Sequence, residues 1–464
     1  MFKFPILALF LGISLIPTFG QTPMNPPPGI PVPPEIREQL EKETRELGKT
    51  IEALQTANRN DPDMLDLIND VIVYYNAVHY ALELDQFYSD KKEDEFAVAF
   101  RHLKTGRERA ANLKQGTAPW TRQTGMVVRG YRSRIDDSVQ PYGLVIPEDF
   151  DFHPTYGNGS RLDIWYHGRG NTLSELKFID QRETDPGKLI TDKAIVLHPF
   201  GRYCNANKFA GETDTFEALE HVKKHYPIDS HRISVRGFSM GGAVTWHMAT
   251  HHAGLWSAAA PGAGFAETTI YADVMAKDPK PAWYELMLYN LYDATKYAAN
   301  LHQCPVIAYS GSEDKQKQAA DIMAEYMAKE GLKLQHIIGA GMGHKYDDIS
   351  LEIINRTMDG WASQPKDPFP KKIEFVTYTL RYNQMQWLTI DGLEEHWKEA
   401  RVEAEIVDEY KFQIKTQNIT GFTIDLPSGN PILKSGGEVL LNVDDAQIKA
   451  PGVRRNGSWK FSLV

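Results

Sequence analysis

Between Ile36 and Gly116 the apolar residues recur at helical spacing. Ile36, Leu40, Leu47, Ile51 and Leu54 mark a first helix. Leu65, Ile68, Ile72, Tyr75 and Leu82 mark a second, opened by Asp61-Pro62. Phe96, Phe100 and Leu103 mark a third. A stripe three or four residues apart puts one face of a helix against a core, so this stretch predicts three helices packed on the region C-terminal to them. From about Met126 to Trp361 the pattern changes. Short apolar runs such as Arg161–Tyr166, Ala194–His198, Arg232–Arg236 and Pro305–Ser310 alternate with helical stretches. Strand–helix alternation predicts a mostly parallel sheet with helices on both faces. After the proline-rich segment 364–370 the period falls to two in Lys372–Thr379 and Ala404–Val407. Further strands with Gly, Pro and Asn turns come after these, as in a small β-sandwich.

The predicted organisation is therefore a signal peptide at 1–20, a proline-rich tether at 21–34 and a helical region at 35–118. An α/β domain at 119–363 and a β-rich domain at 364–464 complete it. The start carries the leader signal: Met1-Phe2-Lys3, an apolar run from Phe4 to Pro17, then Thr18-Phe19-Gly20. A charged start, a short apolar core and a small-residue end are the marks of a secretory leader. The run is short for a membrane span, so a secreted or periplasmic protein without stable membrane insertion is expected. The net charge of −10 argues against a nucleic-acid partner. Cys204 and Cys304 are the only cysteines, so disulfides do not carry the fold. Two free thiols are expected, with a Cys204–Cys304 pair the alternative, and no zinc-ligand spacing is visible.

The chemistry concentrates at Gly237-Phe238-Ser239-Met240-Gly241-Gly242. It lies between a strand-like run and a helix-like run. Strand, G-x-S-x-G, helix is the context of a nucleophile elbow, which presents the serine hydroxyl at a tight turn. A serine needs a base, and the base needs an orienting carboxylate. Both come later in the chain, in the order Ser, acid, His. The strand ending at Ser310 leads into Gly311-Ser312-Glu313-Asp314, and the glycine-rich loop from Gly339 delivers His344. The reading is Ser239 as nucleophile, His344 as general base and acid, and Asp314 as orienter, with Glu313 the alternative to Asp314. Oxyanion donors are expected at the Met240 amide and, from the loop His167-Gly168-Arg169-Gly170, at the Arg169 amide, with Gly170 the alternative. His167 is expected to pack and bond its loop, with contact to substrate the alternative. This chemistry needs no metal or organic cofactor.

With those motifs the stretch from about Arg129 to Trp361 resembles the catalytic domain of prolyl-oligopeptidase-type α/β-hydrolases. It also resembles secreted esterases of the feruloyl and acetyl-xylan type. Gln140–Pro147, His167–Gly170, Asp229–Ile233, Gly237–Gly242, Gly311–Asp314 and Gly341–His344 carry the resemblance. It implies an α/β-hydrolase fold and acyl transfer to water. It departs from the prolyl oligopeptidases in lacking a large propeller: the residues before the catalytic domain are few and helical. A carboxylic ester linked to carbohydrate or an aromatic group is the expected substrate. A peptide is the alternative, and a non-catalytic shell the remote one. Around the site, Arg202 and Tyr203 with Asn205 and Asn207 read as a polar substrate rim or a solvated loop. Trp283 and Tyr284, with Phe265, Tyr271, Tyr289, Tyr292 and Tyr297, read as an aromatic wall over the site or the core of a helical insertion. His251 and His252, ending the elbow helix, are expected to suit its dipole as cations. Sequons at Asn158, Asn355, Asn418 and Asn456 matter only in a glycosylating host.

Overall fold

A computed structural model describes residues 26–91, 94–155 and 159–464. The expected leader, the first residues of the tether and the sequon asparagine at 158 lie outside these described residues. Three helices come first: α1 (Pro34–Ala57), α2 (Pro62–Glu83) and α3 (Glu95–Lys114). The Asp61 side chain caps α2 at the Met64 amide, and Asp94 caps α3 at Phe96 and Ala97, as short acceptor side chains do at helix starts. Then come β1 (Gly125–Arg132), β2 (Val139–Ile146), β3 (Ser160–Tyr166), α4 (Glu175–Thr184), β4 (Ala194–Pro199) and α5 (Ala210–His225). The chain continues through β5 (Ile228–Phe238), α6 (Met240–His251), β6 (Ala258–Gly262), α7 (Trp283–Leu288), β7 (Ile307–Gly311), α8 (Lys317–Lys329), β8 (Gln335–Gly339) and α9 (Asp348–Ala362).

Among the described residues the central sheet has eight strands in the order β1-β2-β4-β3-β5-β6-β7-β8. β1, β2 and β4 pair antiparallel, and from β4 through β8 every pairing is parallel. This is the mostly parallel sheet expected from the strand–helix alternation, in the α/β-hydrolase arrangement that the resemblance implied. Its consequence for function is direct: the loops after β3, β4, β5, β7 and β8 all leave the same edge. Ligands bind outside the carboxyl ends of such strands.

The N-terminal helices share the core of this sheet. Leu40, Leu47, Ile68, Val71 and Leu103 are fully buried in it. At the junction Asp70 of α2 is enclosed. It accepts from Arg129 Nε, the Gly130 amide and Trp120 Nε1, each at 2.8 Å. Both partners of the Asp70–Arg129 ion pair are fully buried. Beyond α9, strands from Lys372 to Leu463 form a four-stranded and a five-stranded sheet. Phe412 of one sheet packs on Trp459 of the other at 5.3 Å between ring centres. Bidentate Arg401–Glu330 bonds and an Arg381–Glu212 ion pair attach these sheets to the hydrolase.

Candidate active site

The turn after β5 holds Ser239 at φ 60°, ψ −120°. For a residue with a Cβ this region costs on the order of 1–3 kcal/mol, and such strain persists only where packing enforces it. Here it is enforced from both sides. The Ser239 amide donates to Gly262 O at 2.8 Å, and α6 starts at the next residue. A Cβ on Gly241 would stand 2.1 Å from the Tyr166 carbonyl oxygen, so only glycine lets the elbow lie this close to β3. The first amides of a helix have no partner within it, which leaves Met240 N–H at the elbow as a free, dipole-aligned donor.

Asp314 and His344 are brought together by the loops after β7 and β8. His344 Nδ1 lies 2.8 Å from Asp314 Oδ2. The Asp314 side chain is buried, while 41 % of the His344 side chain is exposed. The other carboxylate oxygen, Oδ1, accepts the Gln316 amide at 2.9 Å just before α8. Asp314 thus orients the imidazole and caps the turn at once. Glu313 is exposed. The two loops are joined by Ser312 N to Gly339 O (2.9 Å), Glu313 N to Met342 O (2.9 Å) and Gly341 N to Ser312 Oγ (2.8 Å). Phe238, preceding the serine, packs its ring 4.9 Å from that of His344. Serine, acid and histidine therefore occupy neighbouring loops at one sheet edge, in the expected order.

The loop after β3 supplies the opposite wall. Gly170 N–H points to Cys204 Sγ at 3.1 Å, and Cys204 Sγ lies 2.9 Å from Gly170 O. Gly170 is engaged by the thiol, which leaves the Arg169 amide as the free donor of the two. His167 bonds its surroundings: Nε2 lies 2.9 Å from Phe200 O, and burial pushes its pKa down. Cys204 and Cys304 are both free thiols.

A cavity of about 290 Å³ opens at Ser239 and Met240. Arg169, Lys208, Phe265 and Tyr271 line it, and among the described residues none that lines it is acidic. The rings of Phe265 and Tyr271 stack at 4.5 Å. Of the rim candidates Asn205 lines this cavity as well, and Arg202 and Tyr203 lie elsewhere. The Arg202 guanidinium is held by Asp214 (2.9 Å) and Asp136 (2.5 Å). Arg202 and Tyr203 line a separate cavity of about 390 Å³ beside α2. Trp283 and Tyr284, on α7, are exposed and form an edge-to-face pair at 5.9 Å. Tyr297 is buried at the join with the C-terminal sheets. A cavity of about 650 Å³ is lined by Trp256, Lys366 and Trp387, away from the serine.

One expectation is corrected: His251 is no surface cation. It is buried, its Nδ1 sits 2.9 Å from His247 O, and desolvation holds its pKa well below the usual histidine range. Two donor clusters went unseen in the sequence because different elements build them. Asp66, His221 and His225 form one, Glu212, His247 and His252 the other, with donor atoms within 4.8 Å of one another in each. In both the carboxylate already pairs with a cation, Lys224 at 2.8 Å or Arg381 at 2.7 Å. They read as ion-pair clusters joining α2 to α5 and the C-terminal sheets to α5.

Residues 205–363 match the family model described as "Prolyl oligopeptidase family". The protein is a serine hydrolase. The match spans about a third of the chain, and no curated protein matches this serine hydrolase. Solved structures similar to it include fluorophosphonate-binding serine hydrolase F of Staphylococcus aureus, at 18% identity and TM-score 0.40, covering 52% of this chain and 100% of that one. A ferulic acid esterase is similar at 16% identity and TM-score 0.38, covering 52% and 99%. An acylaminoacyl peptidase of Pyrococcus horikoshii is similar at 14% identity and TM-score 0.40, covering 53% of this chain and 43% of that one. Likenesses at this level say nothing of substrate.

Proposed function

We propose that this serine hydrolase cleaves a carboxylic ester, carried on a carbohydrate or an aromatic group, by acyl transfer through Ser239. The observation that carries the reading is the 2.8 Å bond from His344 Nδ1 to buried Asp314, on loops beside a serine strained at φ 60°. With Nδ1 donating to Asp314, the imidazole presents Nε2 as an acceptor. Ser239 Oγ attacks the ester carbonyl as His344 Nε2 takes its proton. The oxyanion forms against the Met240 and Arg169 amides, which need not reorganise as charge develops. The imidazolium then protonates the leaving alcohol. Water, deprotonated by His344, attacks the acyl-enzyme and returns Ser239.

An ester is favoured by what lines the cavity. A peptidase that holds a free N-terminus needs a carboxylate at the site, and none lines this one. The stacked Phe265 and Tyr271 rings suit an aromatic or sugar-linked group. The peptidase reading stays as the second because the matching family model is that of the prolyl oligopeptidases. Secretion to an external or periplasmic substrate is part of the proposal. It rests on the charged-then-apolar start of the sequence. No helix among the described residues is long and apolar enough to cross a membrane.

The deciding assay uses unactivated substrates: acetate or ferulate released from plant-type polysaccharide, against cleavage of unmodified peptides. Ester release that disappears in Ser239→Ala, together with its fluorophosphonate labelling, supports the proposal. Peptide cleavage without release from any ester polymer overturns the ester reading. Labelling that persists in Ser239→Ala overturns the nucleophile.

A further inference from the structure

Lys208 lies in the loop between β4 and α5 and lines the cavity at Ser239. Nothing in the reaction above uses it. Its backbone is fixed: Asn207 and Phe209 on either side have positive φ, 45° and 53°. The buried Asn207 side chain donates through Nδ2 to Thr215 Oγ1 at 3.1 Å, and the Phe209 backbone amide to Tyr292 OH at 2.9 Å. The Lys208 ammonium sits over two aromatic faces, 4.8 Å from the Tyr292 ring centre and 5.5 Å from that of Phe265.

A half-buried ammonium is stabilised by an anion in contact with it, and none of the described carboxylates is in contact with this one. Among the described residues Lys208 makes no ion pair and its Nζ no hydrogen bond. The nearby carboxylate is Asp293, whose Oδ1 is taken by the Thr268 amide (2.9 Å) and hydroxyl (2.7 Å). Burial raises the Asp293 pKa to about 6 and lowers that of Lys208. Among the described residues the Arg169 side chain, on the same cavity, bonds only the Asn171 side-chain oxygen, at 2.9 Å through Nε. Two cations that make no ion pair among the described residues, Lys208 feeling Asp293 only at longer range, thus face a cavity with no acidic residue among its described lining, in a chain of net charge −10. Two rings, one of them the cavity-lining Phe265, hold the ammonium beside the cavity.

We infer that the Ser239 cavity selects esters bearing a carboxylate, with Lys208 as the specificity-determining residue that pairs with it and Arg169 in support. The inference rests on the hydrolase reading of Ser239 and names the substrate class for it. A charge-assisted bond to a half-buried ammonium favours the anionic substrate about tenfold. It also makes the preference fall with added salt.

The test uses matched p-nitrophenyl esters on the full chain: hemiglutarate against valerate for a carboxylate on the acyl side. Carboxyphenyl acetate against phenyl acetate tests the leaving-group side. Wild type prefers the anionic member of at least one pair by about tenfold in kcat/KM. Lys208→Met brings that ratio to about one, and Lys208→Arg keeps it. A ratio at or below one in both pairs overturns the inference, as does a preference that survives in Lys208→Met. A readout without turnover separates this from the proposed ester activity: the rate at which a fluorophosphonate labels Ser239. Glutarate should slow labelling in wild type but not in Lys208→Met, and 1,5-pentanediol should slow neither. Equal effects of glutarate on both proteins overturn the anion site even if esters are hydrolysed. Loss of labelling altogether overturns the Ser239 reading beneath it.

Discussion

Asp314→Asn is the most informative single change, because the carboxylate has two jobs that an amide cannot share. Asp314 Oδ2 takes the His344 Nδ1 proton at 2.8 Å, and Oδ1 takes the Gln316 amide proton at 2.9 Å. Asparagine offers one acceptor oxygen and one donor NH₂. If the oxygen stays on the Gln316 amide, the NH₂ faces His344 and forces Nδ1 to accept. The ring proton then moves to Nε2, and the imidazole can no longer take the Ser239 proton. If the amide turns over, NH₂ opposes a backbone N–H in a buried position, which costs about 1–3 kcal/mol. The first arrangement is the cheaper, so the fold survives and the tautomer is wrong. A wrong tautomer lowers kcat by about 10⁴, or about 5 kcal/mol at 1.36 kcal/mol per tenfold. Exposed Glu313 has no such contact, so Glu313→Gln should stay within about twofold of wild type. Steady-state kinetics on an aryl ester, with thermal melts of both variants, read the two effects separately. An Asp314→Asn loss below tenfold, or a larger loss in Glu313→Gln, would refute the assignment of the orienter.

Three further outcomes are expected. Gly241→Ala puts a Cβ 2.1 Å from the Tyr166 carbonyl oxygen, so the elbow must shift; kcat/KM should fall by about 10² or more, and retained activity would show that the turn is not held by β3. Asp70→Asn leaves the fully buried Arg129 without its charge partner; urea unfolding should show a loss of about 3–5 kcal/mol, and a loss under 1 kcal/mol would mean the junction between α2 and the sheet relaxes freely. His102 is buried, its Nε2 is 3.0 Å from Leu176 O, and desolvation lowers its pKa to about 4. A histidine depressed from about 6.5 contributes stability that is present above that pH and is lost as pH falls towards 4, up to about 3 kcal/mol. His102→Gln keeps a donor for Leu176 O and removes the titration, so its stability relative to wild type should rise between pH 6.5 and 4; a difference that does not change with pH would exclude His102 as the titrating group.

The backbone of the site was legible because its signals are local. The elbow needs glycines at fixed offsets, and the acid and histidine come directly after strands that declare themselves as apolar runs. Their order matches the order in which the strands meet one sheet edge. The period-two pattern after Lys372 likewise reads directly as sheet. What was hidden is what several loops build together. Arg202 looked free in the sequence, but Asp136 and Asp214, on two separate segments, claim its guanidinium. Of the seven aromatics after β6, Phe265 and Tyr271 reach the cavity, while Trp283 and Tyr284 face solvent. No period distinguishes them, because the connection from β6 to β7 is mostly short turns and 3₁₀ segments. His251 looked like a helix-end cation, yet Tyr297 and Tyr382 close over it, with ring centres at 3.9 Å and 4.5 Å.

Lys208 shows the same limit at its sharpest, and it bears on how charge should be read. The whole-chain balance of −10 speaks of solubility and of what the surface repels. It does not give the sign of the potential where chemistry occurs. At the cavity the count is two cations and no carboxylate. Low-dielectric walls strengthen that local field, while exposed surface charges are screened over about 10 Å at 0.1 M salt. An acidic protein can therefore hold a cationic site, and the substrate answers to the site. The residues that set this sign lie in the loops after β3 and β4, neighbouring strands on one side of the serine-bearing β5, and neither loop carries a motif for charge. Only the fold brings Arg169 and Lys208 to one cavity, so the substrate's charge had to be read from the structure.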